Sequence, residues 1–375
     1  MSASAPSAAD RIGAMDGLRG WAALAVVIFH FTWEMFGHSM PEFRSLLPAF
    51  LGSGRLAVAI FFTLSGYVLT VRRWRRDDNP PYRRVALKRY VRLTIPIFIS
   101  AMLFFALMVL GLTPTQQAAD ILQNYYWMGS IAGFQPNLLE AIFFGLLGAY
   151  GLQRGHLYHP FLWTMIIELW ASLLVFWFSQ GWKWLFREPY TPLIVSTLIF
   201  LWVFPLAACF FLGAIVALMQ RDGRLFRDPP SARESLMATI VFVAGVCAAT
   251  FMHVRSEMFT PETVRGLIPA SLTGVVVTFA AVRSAPVARI LMTGASQAMG
   301  RLSFPLYLAH GIIAASFAPA LVVWTNAMGP IDTLDASLIS LASILASLAL
   351  AQMLLPVETF TLGFVRRFDR RKASA

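Results

Sequence analysis

Apolar runs of membrane-spanning length recur from one end of the 375-residue chain to the other, and they constrain its fold more than any other feature. Hydrophobic residues make up 58% of the chain and charged residues 13%, whereas a soluble domain carries roughly a quarter charged residues. A helix needs roughly 20 apolar residues to cross a bilayer. The sequence therefore predicts an all-α polytopic membrane protein.

The apolar runs divide into ten predicted spans. Their approximate limits are 17–36, 49–71, 90–112, 160–179, 191–203, 204–220, 236–252, 264–282, 302–325 and 336–355. The region 113–159 is ambiguous, because its apolar run 138–151 is short for a crossing and carries Glu140. We interpret this run as re-entrant or interfacial, with 138–152 as the alternative fourth span. Pro205 separates the short fifth span from the sixth.

Basic residues indicate how these spans are oriented. The segment 72–92, between the second and third spans, carries nine Lys or Arg. Cytoplasmic loops carry an excess of Lys and Arg, so we place this segment in the cytoplasm. An even number of spans then puts both termini in the cytoplasm, and 25 of the 30 Lys and Arg fall on that side. This placement accounts for the net charge of +11 without a nucleic-acid partner.

The two ends of the chain are predicted to lie outside a membrane domain that covers residues 15–362. Residues 1–14 are small and polar, show no cleavable signal, and predict a disordered tail. Residues 363–375 predict a basic cytoplasmic tail. Cys209 and Cys247 lie in apolar segments and are expected to be small core residues. No metal site is expected, because the histidines show no metal-ligand spacing.

The first predicted span carries three ionisable residues: Arg19, His30 and Glu34. Arg19 and His30 are eleven residues apart, which in an α-helix puts both on one face and about 16 Å apart along the axis. Glu34 follows one α-turn later and is expected to orient the His30 ring. Intramembrane ionisable groups are costly and usually functional. The structural alternatives are a snorkelling anchor for Arg19 and a core histidine for His30.

Five short motifs follow one another along the chain in an order that resembles a known family. The first is Arg19 and His30 with ten residues between them. The others are 61-FFTLSGYVL-69, 89-RYVR-92, 162-LWTMIIE-168 and 300-GRLSFPLYLAH-310, with a closing segment 357-VETF-360. Together they resemble the membrane-bound acyltransferase family 3 over residues 14 to 362. The chain departs from that pattern at Thr164, where the family has serine, and at Leu169 and Trp170, where many members have a second acidic residue and an aromatic.

The resemblance implies an O-acyltransferase. Such an enzyme moves an acyl group, commonly acetyl from acetyl-CoA, to a hydroxyl of a carbohydrate or similar acceptor. Acyl-CoA is then a co-substrate, and no permanently bound cofactor is expected.

Candidate acyl-CoA-binding residues lie near the predicted cytoplasmic ends of the first three spans: Arg19, Ser65, Gly66, Tyr67, Arg89 and Arg92. Arg89 and Arg92 are three residues apart on one helix face, and guanidinium groups suit the phosphates of CoA. The alternative for the arginines is ordinary positive-inside charge. For Ser65 and Gly66 the alternative is close helix packing.

The candidate catalytic residues are His30, Glu34 and Glu168. His30 is a general base for the acceptor hydroxyl, or it forms an acyl-imidazole, and the sequence leaves both routes open. Glu34 or Glu168 would fix its tautomer, with a structural hydrogen bond as the alternative for Glu168. Further cavity residues are Trp163, Tyr307 and His310, with a structural hydrogen bond as the alternative for His310. The aromatic segments 125–127 and 158–163 are typical of an interfacial belt, with sugar stacking as the alternative.

We therefore expect a multi-pass acetyltransferase in the inner (plasma) membrane of a bacterium. Its expected partners are the lipid bilayer, acyl-CoA, a saccharide acceptor and proteins of polysaccharide assembly. The acceptor would be a surface or exported polysaccharide or its lipid-linked precursor. One alternative is a proton-coupled secondary transporter that uses intramembrane His and Glu as a relay. Another is a non-catalytic subunit of an export machine.

Overall fold

The computed structural model describes residues 8–74, 81–152, 155–185, 188–224, 230–255 and 267–370. These residues form fifteen α-helices and, within the same ranges, no strand. The predicted all-α class is confirmed. Parts of the predicted terminal tails and of the basic segment 72–92 lie outside the described residues.

The helices follow one another with short connections. In chain order they are α1 (Ala8–Phe29), α2 (Leu46–Leu51), α3 (Gly54–Trp74), α4 (Tyr82–Val109), α5 (Thr115–Leu122), α6 (Leu138–Leu146), α7 (Thr164–Leu185), α8 (Tyr190–Val203), α9 (Pro205–Arg221), α10 (Ala232–Val254), α11 (Ile268–Arg283), α12 (Ala285–Leu291), α13 (Gly294–Ala315), α14 (Phe317–Asn326) and α15 (Thr333–Arg370). A π-helical turn, His30–Glu34, follows α1, and short 3-10 helices cover Pro41–Arg44, Gly148–Tyr150 and Pro160–Trp163.

Seven segments of the described chain are long and apolar enough to cross a membrane: Gly13–Glu34, Leu46–Val71, Tyr82–Val109, Pro160–Phe178, Ala232–Val254, Gly294–Asn326 and Thr333–Arg367. An eighth candidate is the pair α11 and α12, which is bent by 89°. The chain is therefore a polytopic membrane protein with seven to eight candidate spans.

The prediction of ten spans is corrected at α8 and α9. These helices coincide with the fifth and sixth predicted spans but have only 14 and 17 residues. The physical reason is Pro205, which begins α9 and ends the helical hydrogen bonding of α8. In the ambiguous region 113–159, α6 has nine residues, and the candidate span lies instead at Pro160–Phe178.

Helical backbone continues through both predicted domain boundaries. Helix α1 begins at Ala8, inside the segment expected to be a tail, and α15 runs on to Arg370. Hydropathy marks only the apolar part of a helix, whereas the backbone hydrogen bonds continue past it.

Contacts between Cα atoms divide the chain into two compact units. Unit 1 comprises Met1–Val26, Ser53–Arg83 and Trp170–Ser303. Unit 2 comprises Val27–Gly52, Arg84–Leu169 and Phe304–Ala375.

Unit 1 is built on the packing of α3 against α9 and α11. A Cβ atom on Gly66 would overlap the backbone of Phe210 in α9, and one on Gly213 would overlap that of Thr63 in α3. The missing side chains therefore let the two helices approach closely, as small residues do in membrane bundles. Cys209 of α9 is buried as predicted, but Cys247 of α10 is exposed, so the prediction of a core position for Cys247 was wrong.

Unit 2 packs α14 against α5 and α15, and α15 contacts the π-helical turn. The hydroxyl of Ser340 in α15 donates a hydrogen bond of 2.6 Å to the carbonyl of Phe31 in that turn. The largest fully buried side chains of unit 2 include Phe31, Phe36, Phe104, Tyr150 and Tyr158. Because these aromatic groups come from distant parts of the chain, the core of unit 2 fixes loops as well as helices.

Candidate functional site

Eight of the twelve predicted site residues belong to unit 2: His30, Glu34, Arg89, Arg92, Trp163, Glu168, Tyr307 and His310. His30 is the first residue of the π-helical turn. The amide of Met35 donates to the carbonyl of His30 at 3.1 Å, which is the i to i+5 bond of a π-helix. A π-turn thus replaces the α-turn predicted between His30 and Glu34. Isolated π-turns occur frequently at functional sites.

Asn124 holds the end of this π-turn. Its side-chain amide donates to the carbonyl of Glu34 at 2.7 Å and to that of Met35 at 3.0 Å. Asn124 is only 5% exposed, so few waters compete for these bonds. Asn124 was not predicted as a site residue, because a single amide in a polar connection carries no signal of its tertiary partner.

Aromatic rings surround the His30 imidazole. Its centroid lies 4.3 Å from that of Phe161, 5.3 Å from His310 and 5.9 Å from Trp127. The His30 and His310 planes are 18° apart, and those of His30 and Trp127 are 17° apart. His30 is only partly buried, whereas Trp127, Phe161 and His310 are buried. The arrangement fixes the plane of an imidazole that keeps some accessible surface.

Carbonyl groups fix the tautomers of two further imidazoles. Nδ1 of His310 lies 3.2 Å from the carbonyl oxygen of Leu306. Nε2 of His159 lies 2.9 Å from that of Leu308. A carbonyl oxygen only accepts, so these nitrogens carry the hydrogen and donate. In the neutral rings the lone pair is therefore on Nε2 of His310 and on Nδ1 of His159.

Four ring nitrogens in this cluster are buried and have no hydrogen-bond partner among the described residues. They are Nδ1 of His30, Nε1 of Trp127, Nδ1 of His159 and Nε2 of His310. All four rings pack around Phe161, with centroid distances from 4.3 to 6.1 Å. The large majority of buried polar side-chain atoms in proteins have a hydrogen-bond partner. Keeping four such groups together is unfavourable for stability and is typical of a functional site.

Tyr307 joins the loop before α7 to α13. Its hydroxyl donates to the carbonyl of Phe161 and lies 2.7 Å from the hydroxyl of Thr164. Since the phenol has one hydrogen, the Thr164 hydroxyl donates to the Tyr307 oxygen. This connection holds Phe161 in place beside His30 and His310.

Two arginine–carboxylate pairs lie on α4. Arg89 pairs with Glu168 of α7, and both side chains are largely buried, at 9% and 14% exposure. Arg92 lies 4.0 Å from Glu358 of α15 and is 41% exposed. A predicted acyl-CoA-binding residue, Arg89, thus pairs with a predicted catalytic residue, Glu168. Arg92 presents the more accessible guanidinium.

The other predicted site residues belong to unit 1. Arg19 pairs with Asp16 at 3.1 Å and stays partly exposed. Gly66 faces the backbone of Phe210, and the hydroxyl of Tyr67 donates to Gln220. Ser65 is half-buried on the same helix. Their predicted contacts with acyl-CoA stay predictions.

The interpretation of segments 125–127 and 158–163 as an interfacial belt was only partly right. Tyr125, Tyr126 and Trp163 are exposed, whereas Trp127, Tyr158, His159 and Phe161 are buried within unit 2. Part of the predicted belt is buried because the loop from residue 155 to 163 folds inward against α13, a tertiary contact. His159, which belongs to the segment 158–163, has its ring centroid 6.4 Å from that of His310.

Comparisons with known proteins agree with the motifs. A family model described as an acyltransferase domain matches residues 12–355. The chain belongs to acyltransferase family 3. An O-acetyltransferase, PaAT-1 of Phomopsis amygdali, is 22% identical over 82% of this chain and 73% of its own length. No solved structure matches the chain. This protein is therefore a multi-pass membrane acyltransferase, as the resemblance implied.

Proposed function

We propose that this acyltransferase moves an acetyl group from cytoplasmic acetyl-CoA to a hydroxyl group of a saccharide. The observation that supports this most strongly is the His30 ring, which is held between aromatic neighbours, stays partly exposed, and belongs to a cluster of buried ring nitrogens. Among side chains, an uncharged imidazole is the group most often used to take a proton near neutral pH.

In the proposed reaction His30 is the general base. Its unprotonated nitrogen accepts the proton of the acceptor hydroxyl while the hydroxyl oxygen attacks the thioester carbonyl carbon. The carbon–sulfur bond then breaks, and the CoA thiolate takes the proton from the imidazolium. The products are an acetate ester and CoA with a free thiol. The neighbouring rings of Trp127, Phe161 and His310 hold the plane of the His30 imidazole for these steps.

The two arginine pairs suggest different roles for Arg92 and Arg89. Arg92, with the more accessible guanidinium, is proposed to bind the phosphates of CoA. Arg89 is proposed to hold Glu168 and thereby the start of α7, since its guanidinium is already engaged by that carboxylate. Glu34 and Glu168 remain proposed catalytic residues that influence the His30 site electrostatically.

The acceptor is proposed to be a surface or exported polysaccharide or its lipid-linked precursor, modified at the plasma membrane of a bacterium. Support comes from the family resemblance and from Trp163, an exposed indole in the same 3-10 helix as Phe161. An indole offers a flat apolar surface with a hydrogen-bond donor at its edge, which suits a sugar ring. Proteins of polysaccharide assembly would supply this acceptor.

The function is tested with the purified protein in proteoliposomes, using acetyl-CoA labelled in the acetyl group and glycans extracted from the host. We expect CoA release and labelled glycan with the wild type and with His38→Ala, an exposed histidine of unit 2. Folded His30→Ala should give neither. Proton flux across the vesicle membrane without any acetyl transfer would contradict the proposal and favour a transporter.

The same label separates the two chemical routes. With acetyl-CoA and no acceptor, general-base catalysis leaves the protein unlabelled after denaturation. Acetyl label recovered on His30 would contradict the direct transfer proposed above and would indicate an acyl-imidazole.

A further inference from the structure

His159 is a fully buried residue with an unusual backbone conformation. Its φ and ψ are 155° and 91°, values that residues other than glycine rarely adopt. Such conformations persist only where the surrounding structure enforces them, and they cluster at functional sites. The ring of His159 is held by a hydrogen bond of 2.9 Å from its Nε2–H to the carbonyl of Leu308 in α13.

The ring of His159 occupies space that Gly311 leaves open. A Cβ atom on Gly311 would overlap the His159 imidazole and would lie 2.9 Å from Cδ2 of Phe161. Gly311 directly follows His310 in α13. The imidazole therefore lies against the helix backbone at the residue next to His310, which only glycine permits.

His159 and Tyr307 together fasten the loop before α7 to α13. His159 bonds to Leu308, and Tyr307 bonds to Phe161 and Thr164. Between these anchors lies Phe161, whose centroid is 4.3 Å from His30 and 5.0 Å from His310. A shift of His159 would be passed directly to the rings that fix His30.

We propose that His159 is a positioning residue for acyl transfer, which acts on His30 through Phe161 and His310. Its bond to Leu308 and its fit beside Gly311 set the plane of Phe161 and the position of His310. This inference rests on the proposed function of His30. It assigns a role to a histidine that need not touch either substrate.

Three variants of the full-length protein test this role, each purified and compared at equal amounts of monodisperse, folded protein. Gln is long enough to place an amide N–H where Nε2–H of His159 lies, so His159→Gln should keep kcat within about threefold of wild type. His159→Phe keeps a ring but loses the bond, and Gly311→Ala displaces the ring but removes no titratable group. Both should lower kcat at least tenfold, since small misplacements of reacting groups have large effects on rate.

The Michaelis constant decides between positioning and a merely structural role. For all three variants we expect the KM for acetyl-CoA to stay within about twofold of wild type, because His159 is not proposed to bind it. Unchanged kcat per folded molecule in His159→Phe or Gly311→Ala would overturn the inference, as would equal losses in His159→Gln and His159→Phe. If His159→Phe does not fold, His159→Gln and Gly311→Ala test the inference. His159→Gln should then keep kcat within about threefold of wild type, and Gly311→Ala should lower it at least tenfold. A different result would contradict the proposed function itself: acetyl transfer by folded His30→Ala at the rate of the wild type.

Discussion

The imidazole rings of His30 and His310 lie nearly parallel, with their centroids 5.3 Å apart and their planes at 18°. They come from opposite ends of the chain. At this separation and angle the two rings pack against each other, and each restricts the tilt of the other. The partly accessible imidazole of His30 thus lies against a buried ring whose tautomer is fixed by Leu306.

This relationship predicts the effect of His310→Asn. Asparagine keeps an N–H donor near the position of Nδ1, and so the bond to Leu306, but removes the ring that faces His30. We expect acetyl transfer per folded molecule to fall at least about tenfold, because the His30 plane is no longer held. His253→Asn, at a buried histidine of unit 1, is the matched control and should retain activity once folded. Activity of His310→Asn within twofold of wild type would show that the ring is not needed.

Asn124 should be required for the π-turn. In Asn124→Ala the carbonyls of Glu34 and Met35 lose their donor, which should destabilise the protein by about 1–3 kcal/mol and reduce acetyl transfer. Asn124→Asp should be worse, because it places a carboxylate against two carbonyl oxygens. Thermal unfolding in detergent and labelled acetyl transfer measure the two effects. If the wild type, Asn124→Ala and Asn124→Asp unfolded at the same temperature, Asn124 would not be required for the π-turn.

Removing Arg89 should affect folding more than acyl-CoA binding. Arg89→Ala leaves the largely buried Glu168 without its guanidinium, a change that destabilises proteins by about 3–5 kcal/mol. Arg221→Ala breaks a more exposed pair with Asp222 and should change stability by about 1 kcal/mol or less. The comparison is made by thermal unfolding in detergent. Equal, small changes in both variants would mean that the Arg89–Glu168 pair is not structural.

Arg92 should contribute to acyl-CoA binding through charge. Losing a hydrogen bond to a charged group weakens binding by roughly 1.5–3 kcal/mol, so Arg92→Ala should raise the dissociation constant for acetyl-CoA about tenfold or more. The remaining binding should depend less on salt, because one screened contact is gone. Arg44→Ala, an exposed arginine of the same unit, should change neither quantity. Acetyl-CoA binding is titrated at two salt concentrations. If Arg92→Ala had the same dissociation constant and the same salt dependence as the wild type, Arg92 would not contact the CoA phosphates.

Hydropathy and motif spacing predicted the helical membrane fold and the family. They predicted the number and limits of the spans less well where helices break. Pro205 was visible as a separator, but α8 and α9 turned out too short to be counted with the longer spans. Hydropathy records how apolar a run is, whereas the end of a helix also depends on backbone bonding and on neighbours.

The site shows the same division between local and tertiary signals. His30 and His310 stand in motifs, and both were predicted to be site residues. The π-turn was not predicted, because constant α-helical spacing was assumed through Glu34. His159 and Phe161 reach the site from an irregular loop, whose inward course no periodicity encodes. The pairing of Arg89 with Glu168 is likewise a product of helix packing.

The most direct test of the account is chemical rescue of His30→Ala. The purified, folded variant is assayed for labelled acetyl transfer with and without added imidazole, beside the wild type. General-base catalysis contributes roughly a hundredfold to ten-thousandfold, so we predict a loss of at least a hundredfold. Because the His30 site is partly accessible, added imidazole should restore part of this activity. Acetyl transfer by His30→Ala within twofold of wild type, without imidazole, would contradict the account.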